Sequence, residues 1–191
     1  DLIGIRAFPK FQDWSKDRED NVIRSLAQNA SVPVINMETI VHPCQELALM
    51  QTLRERLGEV RNRKFVLTWT WHPRPLNTAV ANSALLIATK FGMDVTLLCP
   101  EEAYRLDPQF EESAQRFAAQ SGGSYRLTHD IEEAYTGADV VYAKNYVCPD
   151  LLPPVTSEPQ KDEMVKLFSK YKGWIADEKR MNLAKPTAQY M

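Results

Sequence analysis

The 191-residue sequence lacks almost every short motif by which a cofactor or a catalytic apparatus announces itself. No G-x-G-x-x-G or G-x-x-x-x-G-K-[ST] is present, and Gly122-Gly123 is an isolated pair, which argues against NAD, FAD and P-loop ATP sites. Neither G-x-S-x-G nor H-E-x-x-H occurs, so a serine hydrolase or a zinc protease has no support. Cysteine is scarce: Cys44, Cys99 and Cys148 are odd in number and widely spaced, with no CxxC and no Cys/His cluster able to hold zinc. That usage fits a reducing cytoplasm rather than a disulfide scaffold. Charge of one sign is lacking too, 23 basic against 25 acidic residues and a net charge of −2, which leaves no electrostatic footprint for nucleic acid or an anionic membrane. The longest apolar run, residues 84–88, is far short of the roughly 20 needed to cross a bilayer, and no signal segment is visible. An initiator Met is missing, residues 2–7 read as a buried strand from the outset, and the chain stops at Met191 just as another apolar segment begins. Both ends therefore read as cuts through a longer polypeptide.

What is present is an alternation of short apolar runs with amphipathic segments, the pattern of an α/β fold with a mostly parallel sheet and crossover helices. Strands are expected over 2–7, 32–36, 65–71, 94–99, 124–127 and 140–144. Helices are expected over 18–28, 42–57, 77–91, 108–120 and 158–171, each with an apolar stripe at helical spacing. Four prolines make 147–159 a surface loop. The helix from His42 follows a short two-strand block and leads into a longer α/β run, so it could bridge two domains.

In open α/β sheets ligands bind beyond the carboxyl ends of the strands. Arg6, Glu38, His42, His72 and Lys144 all fall on that edge. In Val41-His-Pro-Cys-Gln45 the proline reads as the first helical position, which makes His42 the N-cap and turns free backbone N–H groups toward an anion. Gln45 lies on the same face, so a His donor and a carboxamide flank a helix N-terminus, an arrangement suited to a ligand with a carbonyl, an amide and a phosphate. The same spacing also fits a structural role, with His42 as a cap and Gln45 completing a capping box. The stiff loop Thr70-Trp-His-Pro-Arg-Pro-Leu-Asn77 could hold His72 and Arg74 at the crevice or be a solvated turn, with Asn77 as cap of the next helix. Lys144 either snorkels to solvent or meets an anionic ligand. Glu38 fits a surface carboxylate as well as a ligand contact. Trp69 and Trp71 read as packing residues, and His129 as structural with Asp130 as a cap.

His42-Pro-Cys-Gln45 resembles the aspartate/ornithine carbamoyltransferases, and the sequence resembles in particular the N-acetylornithine carbamoyltransferases of bacterial arginine biosynthesis. The similarity runs through Leu2-Ile-Gly-Ile-Arg-Ala-Phe-Pro9, Val34-Ile-Asn-Met-Glu-Thr39, residues 68–83, Gly92-Met-Asp-Val-Thr-Leu-Leu-Cys-Pro100 and Ala138-Asp-Val-Val-Tyr-Ala-Lys144. The resemblance implies a two-domain α/β fold present only in part: residues 1–41 ending the carbamoyl phosphate domain, 42–58 an inter-domain helix, and 59–191 most of the amino-acid domain. By position, it implies carbamoyl phosphate contacts from Arg6, His42, Pro43, Cys44 and Gln45, with Arg6, His42 and Gln45 catalytic. It implies acetylornithine contacts from Glu38, His72 and Lys144, no metal or organic cofactor, and homotrimers. The implied reaction is transfer of the carbamoyl group to the δ-amine of N-acetyl-L-ornithine. Ornithine enzymes resemble V-V-Y-T-D-V-W where this chain has Val140-Val-Tyr-Ala-Lys-Asn-Tyr146, and a Lys in place of that Asp disfavours a free α-ammonium. Alternatives that stay open are an N-succinylornithine enzyme and a non-catalytic binding subunit. The family's S-x-R-T loop and H-C-L-P segment lie outside these residues, so the 191-residue stretch is expected to be inactive alone.

Overall fold

A computed structural model describes residues 1–9, 13–73, 76–147, 166 and 168–191. The expected loop 147–159 and helix 158–171 fall largely outside the described residues, as do Arg74 and Cys148. The chain opens with β1 (Ile3–Arg6), the short α1 (Trp14–Asp17), α2 (Asn21–Asn29) and β2 (Val34–Glu38), and β1 and β2 form a two-stranded parallel sheet. Helix α3 (Pro43–Leu57) then leads into β3 (Lys64–Trp69), α4 (Ala79–Lys90), β4 (Asp94–Leu98), α5 (Pro108–Ser121), β5 (Ser124–Thr128), α6 (Ile131–Tyr135), β6 (Val140–Lys144), α7 (Glu178–Met181) and β7 (Gln189–Tyr190).

The second sheet is parallel throughout, in the order β5-β4-β3-β6-β7. From β3 the chain adds strands first on one side and then on the other, so the strand order reverses between β3 and β6. Trp69 pairs with Lys144 at that point, at the carboxyl ends of both strands. A switch point of this kind is where an open α/β sheet leaves a crevice.

Alternate residues of the central strands enter two separate clusters: Phe65, Leu67 and Trp69 pack with Val95, Leu97 and α3–α4, whereas Val66, Leu98 and Val141 pack with Ala134, Tyr135 and Ala184. Both faces are covered, which is why these strands are apolar runs and do not alternate. Helix α4 is buried almost all round, and its Asn82, Ser83 and Thr89 are polar groups in an apolar setting.

Two expectations need correction. The first strand is not buried: Leu2 is 61% exposed and Ile3 38%, and as neighbours they point to opposite faces, so neither face of the strand is closed over at its start. Strand β2 runs to Glu38, two residues past its expected end. The register slips between Ile5 and Arg6, so that Arg6 stands opposite Glu38 and Met37 is skipped. Such a bulge re-aims a side chain at a strand end, and no periodicity in the sequence marks it.

Candidate active site

The bulge brings two opposite charges together at the carboxyl edge of the small sheet. Arg6 Nη2 lies 2.9 Å from Glu38 Oε2. The Glu38 side chain is 7% exposed and that of Arg6 62%, so a guanidinium at the surface covers a carboxylate beneath it. Arg6 also stacks on Phe8, its Cζ 5.1 Å from the ring centroid. Glu38 is therefore not a surface carboxylate. Its Oε1 receives a long hydrogen bond from Asn77 Nδ2 at 3.5 Å, and His42 Nε2 lies 3.8 Å from its Oε2.

His42 is the N-cap of α3, with Pro43 at the first helical position, as the sequence implies. The capping box is not formed: the His42 side chain makes no cap hydrogen bond, and Gln45 Nε2 donates instead to the Tyr142 hydroxyl on β6 at 3.3 Å. The imidazole has Nε2 toward Glu38 and Nδ1 buried without a hydrogen-bond partner. Cys44 is exposed, and its thiol reaches the Asn36 carbonyl at 3.7 Å.

Lys144 ends β6, half-buried. Desolvation draws its pKa below the usual lysine value, and the Glu38 carboxylate opposes that effect. His72 is exposed on the loop after β3. Its loop is tied to β6: the Thr70 amide donates to the Lys144 carbonyl (3.3 Å), Asn145 Nδ2 donates to the Thr70 carbonyl (2.8 Å), and Asn145 Oδ1 accepts from the Leu76 amide (3.1 Å).

Asn145 is a site residue that sequence reasoning missed, although its position next to Lys144 at a strand end was a usable signal. Asn77 does not take the cap position itself. Thr78 is the N-cap, and Asn77 Oδ1 accepts from the Ala79 amide, which leaves Nδ2 for Glu38.

The expected packing and structural roles are met elsewhere. Trp69 is fully buried and donates from Nε1 to the Tyr146 carbonyl, and Asp130 caps α6. Cys99, His129 and Glu102 form a row that mimics a catalytic triad, but burial pushes the thiol up to about 12 and His129 Nδ1 is bonded to the Cys99 carbonyl at 2.9 Å. A thiol in that state is no nucleophile. Among the described residues no group of three or more His, Cys, Asp or Glu could hold a metal ion, and no helix is long and apolar enough to cross a membrane.

The assembled groups are a surface guanidinium, a buried carboxylate, an imidazole at a helix N-terminus, an oriented carboxamide and a half-buried ammonium. This set offers cations and N–H donors to an anionic, carbonyl-bearing ligand beside a carboxylate and a second cation for a zwitterionic or acidic one. The profile of the family described as aspartate/ornithine carbamoyltransferase, Asp/Orn binding domain, matches residues 64–191. The N-acetylornithine carbamoyltransferase of Xanthomonas campestris pv. campestris is 56% identical over 186 residues, 96% of this chain and 53% of that protein. Its counterpart from Xylella fastidiosa (strain Temecula1) is 52% identical over 186 residues, again 96% of this chain and 53% of the other. A crystal structure of an acetylornithine transcarbamylase complexed with acetylcitrulline superposes with a TM-score of 0.92 at 53% identity, covering 100% of this chain and 55% of that one. The chain thus spans about half the length of the curated relatives it matches. With two thirds of its residues inside the family profile, the chain belongs to the aspartate/ornithine carbamoyltransferase family.

Proposed function

We propose that the protein containing this chain transfers the carbamoyl group of carbamoyl phosphate to the δ-amine of N-acetyl-L-ornithine, giving N-acetylcitrulline and phosphate in arginine biosynthesis. The observation that carries the reading is the cluster of Arg6, Glu38 and His42 at the carboxyl edge of the small sheet, with Arg6 Nη2 2.9 Å and His42 Nε2 3.8 Å from Glu38 Oε2. Residues 1–41 would end the carbamoyl phosphate domain, 42–58 bridge, and 59–191 form most of the amino-acid domain. A cytoplasmic homotrimer is part of the same proposal.

Carbamoyl phosphate is a mixed anhydride and needs no cofactor for activation. The amine lone pair attacks the carbamoyl carbon, the new C–N bond forms, the C–O bond to phosphate breaks, and the amine gives up a proton. His42 and Arg6 supply donors to the developing oxyanion, and Arg6 a cation to the leaving phosphate. Gln45, its amide nitrogen engaged by Tyr142, presents its carbonyl oxygen to the carbamoyl NH2. Pro43 and Cys44 form the first helical turn beneath that ligand. Lys144 attracts the α-carboxylate of an N-acylated substrate, Glu38 its N–H groups, and His72 borders the opening.

Holding both reactants in one crevice supplies most of the acceleration such a reaction needs. The full-length protein, assayed with carbamoyl phosphate and each of acetylornithine, succinylornithine and ornithine, should turn over acetylornithine fastest. Faster succinylornithine turnover would move the assignment to the succinyl enzyme, and no turnover of any of the three would make the protein a non-catalytic binding subunit.

A further inference from the structure

The turn that carries His42 is gripped by two consecutive side chains of α4. Asn82, fully buried, donates from Nδ2 to the Ile40 carbonyl at 2.9 Å. Ser83, also buried, accepts the His42 backbone N–H on its Oγ at 2.6 Å. Glu46 lies one turn past His42 on α3, and Ser83 acts on its carboxyl in the direction that favours the ionised form. Glu46 Oε2 is buried without a hydrogen-bond partner, and burial raises this carboxyl to about 7. The charged group acting on it is Lys90, from the far end of α4, which favours the ionised form. A carboxylate kept largely out of water is expensive unless it does something there.

We infer that Ser83 and Glu46 are positioning residues that fix where His42 leaves the backbone, and so where its imidazole meets the carbamoyl group. The inference rests on the role given to His42 above. A hydroxyl has one proton and two lone pairs. Ser83 holds the His42 amide well only while its own proton points elsewhere, and an ionised Glu46 is the acceptor that takes it. A protonated Glu46 is itself a donor, so the Ser83 proton loses that acceptor and can turn toward the His42 N–H. Since His42 has no side-chain cap bond, this backbone bond, with that of Asn82 to the Ile40 carbonyl, anchors the start of α3 to α4. Helix α4 also follows directly on the loop that carries His72, so one element aligns both sides of the crevice.

The test is kcat and KM for the full-length protein across a pH series spanning neutrality. Ser83→Ala should lower kcat about tenfold while KM for either substrate moves less than about twofold, as expected for loss of one orienting hydrogen bond. Ser83→Thr, which keeps the hydroxyl, should recover most of that loss. Glu46→Gln should remove the part of the acid-side fall in kcat that the unsubstituted protein shows near pH 7. The His42 imidazole resonance, identified by its absence in His42→Ala, should move in both variants. An active parent whose kcat is untouched by Ser83→Ala, with only the melting temperature lowered, would reduce the pair to structural residues and overturn the inference. An inactive parent would overturn the functional reading instead, and an unmoved His42 resonance would then overturn the placement by itself.

Discussion

Arg6 and Glu38 face each other across a bulge at the end of the small sheet, the guanidinium at the surface and the carboxylate beneath it. One N–H of a five-donor fork is spent on Glu38, and the ring of Phe8 supports the guanidinium plane. The pair therefore aims Arg6 as much as it neutralises Glu38. A lysine could replace the charge but not the fork. Arg6→Lys is expected to leave thermal stability within about 1 kcal/mol of the parent and to weaken carbamoyl phosphate binding about tenfold, read by calorimetric titration. Equal affinity in the Lys variant would show that only the charge matters.

Lys144 is held half-buried within the field of Glu38, and its proton is already easier to lose than that of a free lysine. Replacing it by aspartate would set two carboxylates against one another in a crevice that excludes much of the water. Lys144→Asp should weaken acetylornithine binding by at least about a hundredfold, while carbamoyl phosphate, bound across the gap, loses less than about fivefold. Separate titrations of the two ligands distinguish these effects. Comparable losses for both would mean that the crevice had collapsed rather than lost one contact.

The central sheet and the identity of most crevice residues could be read from the sequence because their signals are local. Val140-Val-Tyr-Ala-Lys144 is an apolar run with a charge at its carboxyl end, and strand β6 has those bounds. Pro43 fixes the start of α3 by its own ring. The misses have non-local causes. Glu38 was placed past the strand because the bulge depends on pairing with β1, and residues 2–7 read as buried because burial depends on what covers a strand, not on its apolarity. Glu46 in a first helical turn looks like an ordinary partner of the helix dipole. Asn82 and Ser83 did carry a signal, two adjacent polar side chains amid the apolar first half of α4, but only the fold tells what they hold.

Glu46 gives stability a pH dependence with a definite sign. Burial lifts its pKa from 4.5 to about 7 in the folded protein, so the native state keeps the proton longer than the unfolded chain does. The stabilisation is complete below about pH 4.5 and is lost as pH rises through about 7. Glu46→Gln removes this loss. Its melting temperature should match the parent near pH 4.5 and exceed it at pH 8 by an amount worth roughly 1–2 kcal/mol, discounted because the carboxylate keeps part of its hydration. A constant difference at both pH values would assign the effect to packing instead.

Asp107 ties the start of the chain to α5. Its side chain, 5% exposed, accepts from Arg18 Nη2 at 2.7 Å, from the indole N–H of Trp14 and from the Gln109 amide, whose helix it caps. Three donors from two parts of the sequence thus meet on one buried carboxylate, and an asparagine there removes the charge, keeps one oxygen acceptor and sets an NH2 donor against one of the three. Asp107→Asn should destabilise the protein by about 2–3 kcal/mol and speed amide exchange in residues 13–20, while the central sheet stays protected. Arg18→Ala should reproduce the faster exchange with less effect on the melting temperature, since Trp14 and the cap of α5 remain. Because α1 and α2 precede β2 and its bulge, a looser tether at Asp107 should also broaden the placement of Arg6 over Glu38. Exchange in residues 13–20 that stays at the parent rate in both variants would show that Trp14 and Arg18 are held by their own segment and that the bond to Asp107 is incidental.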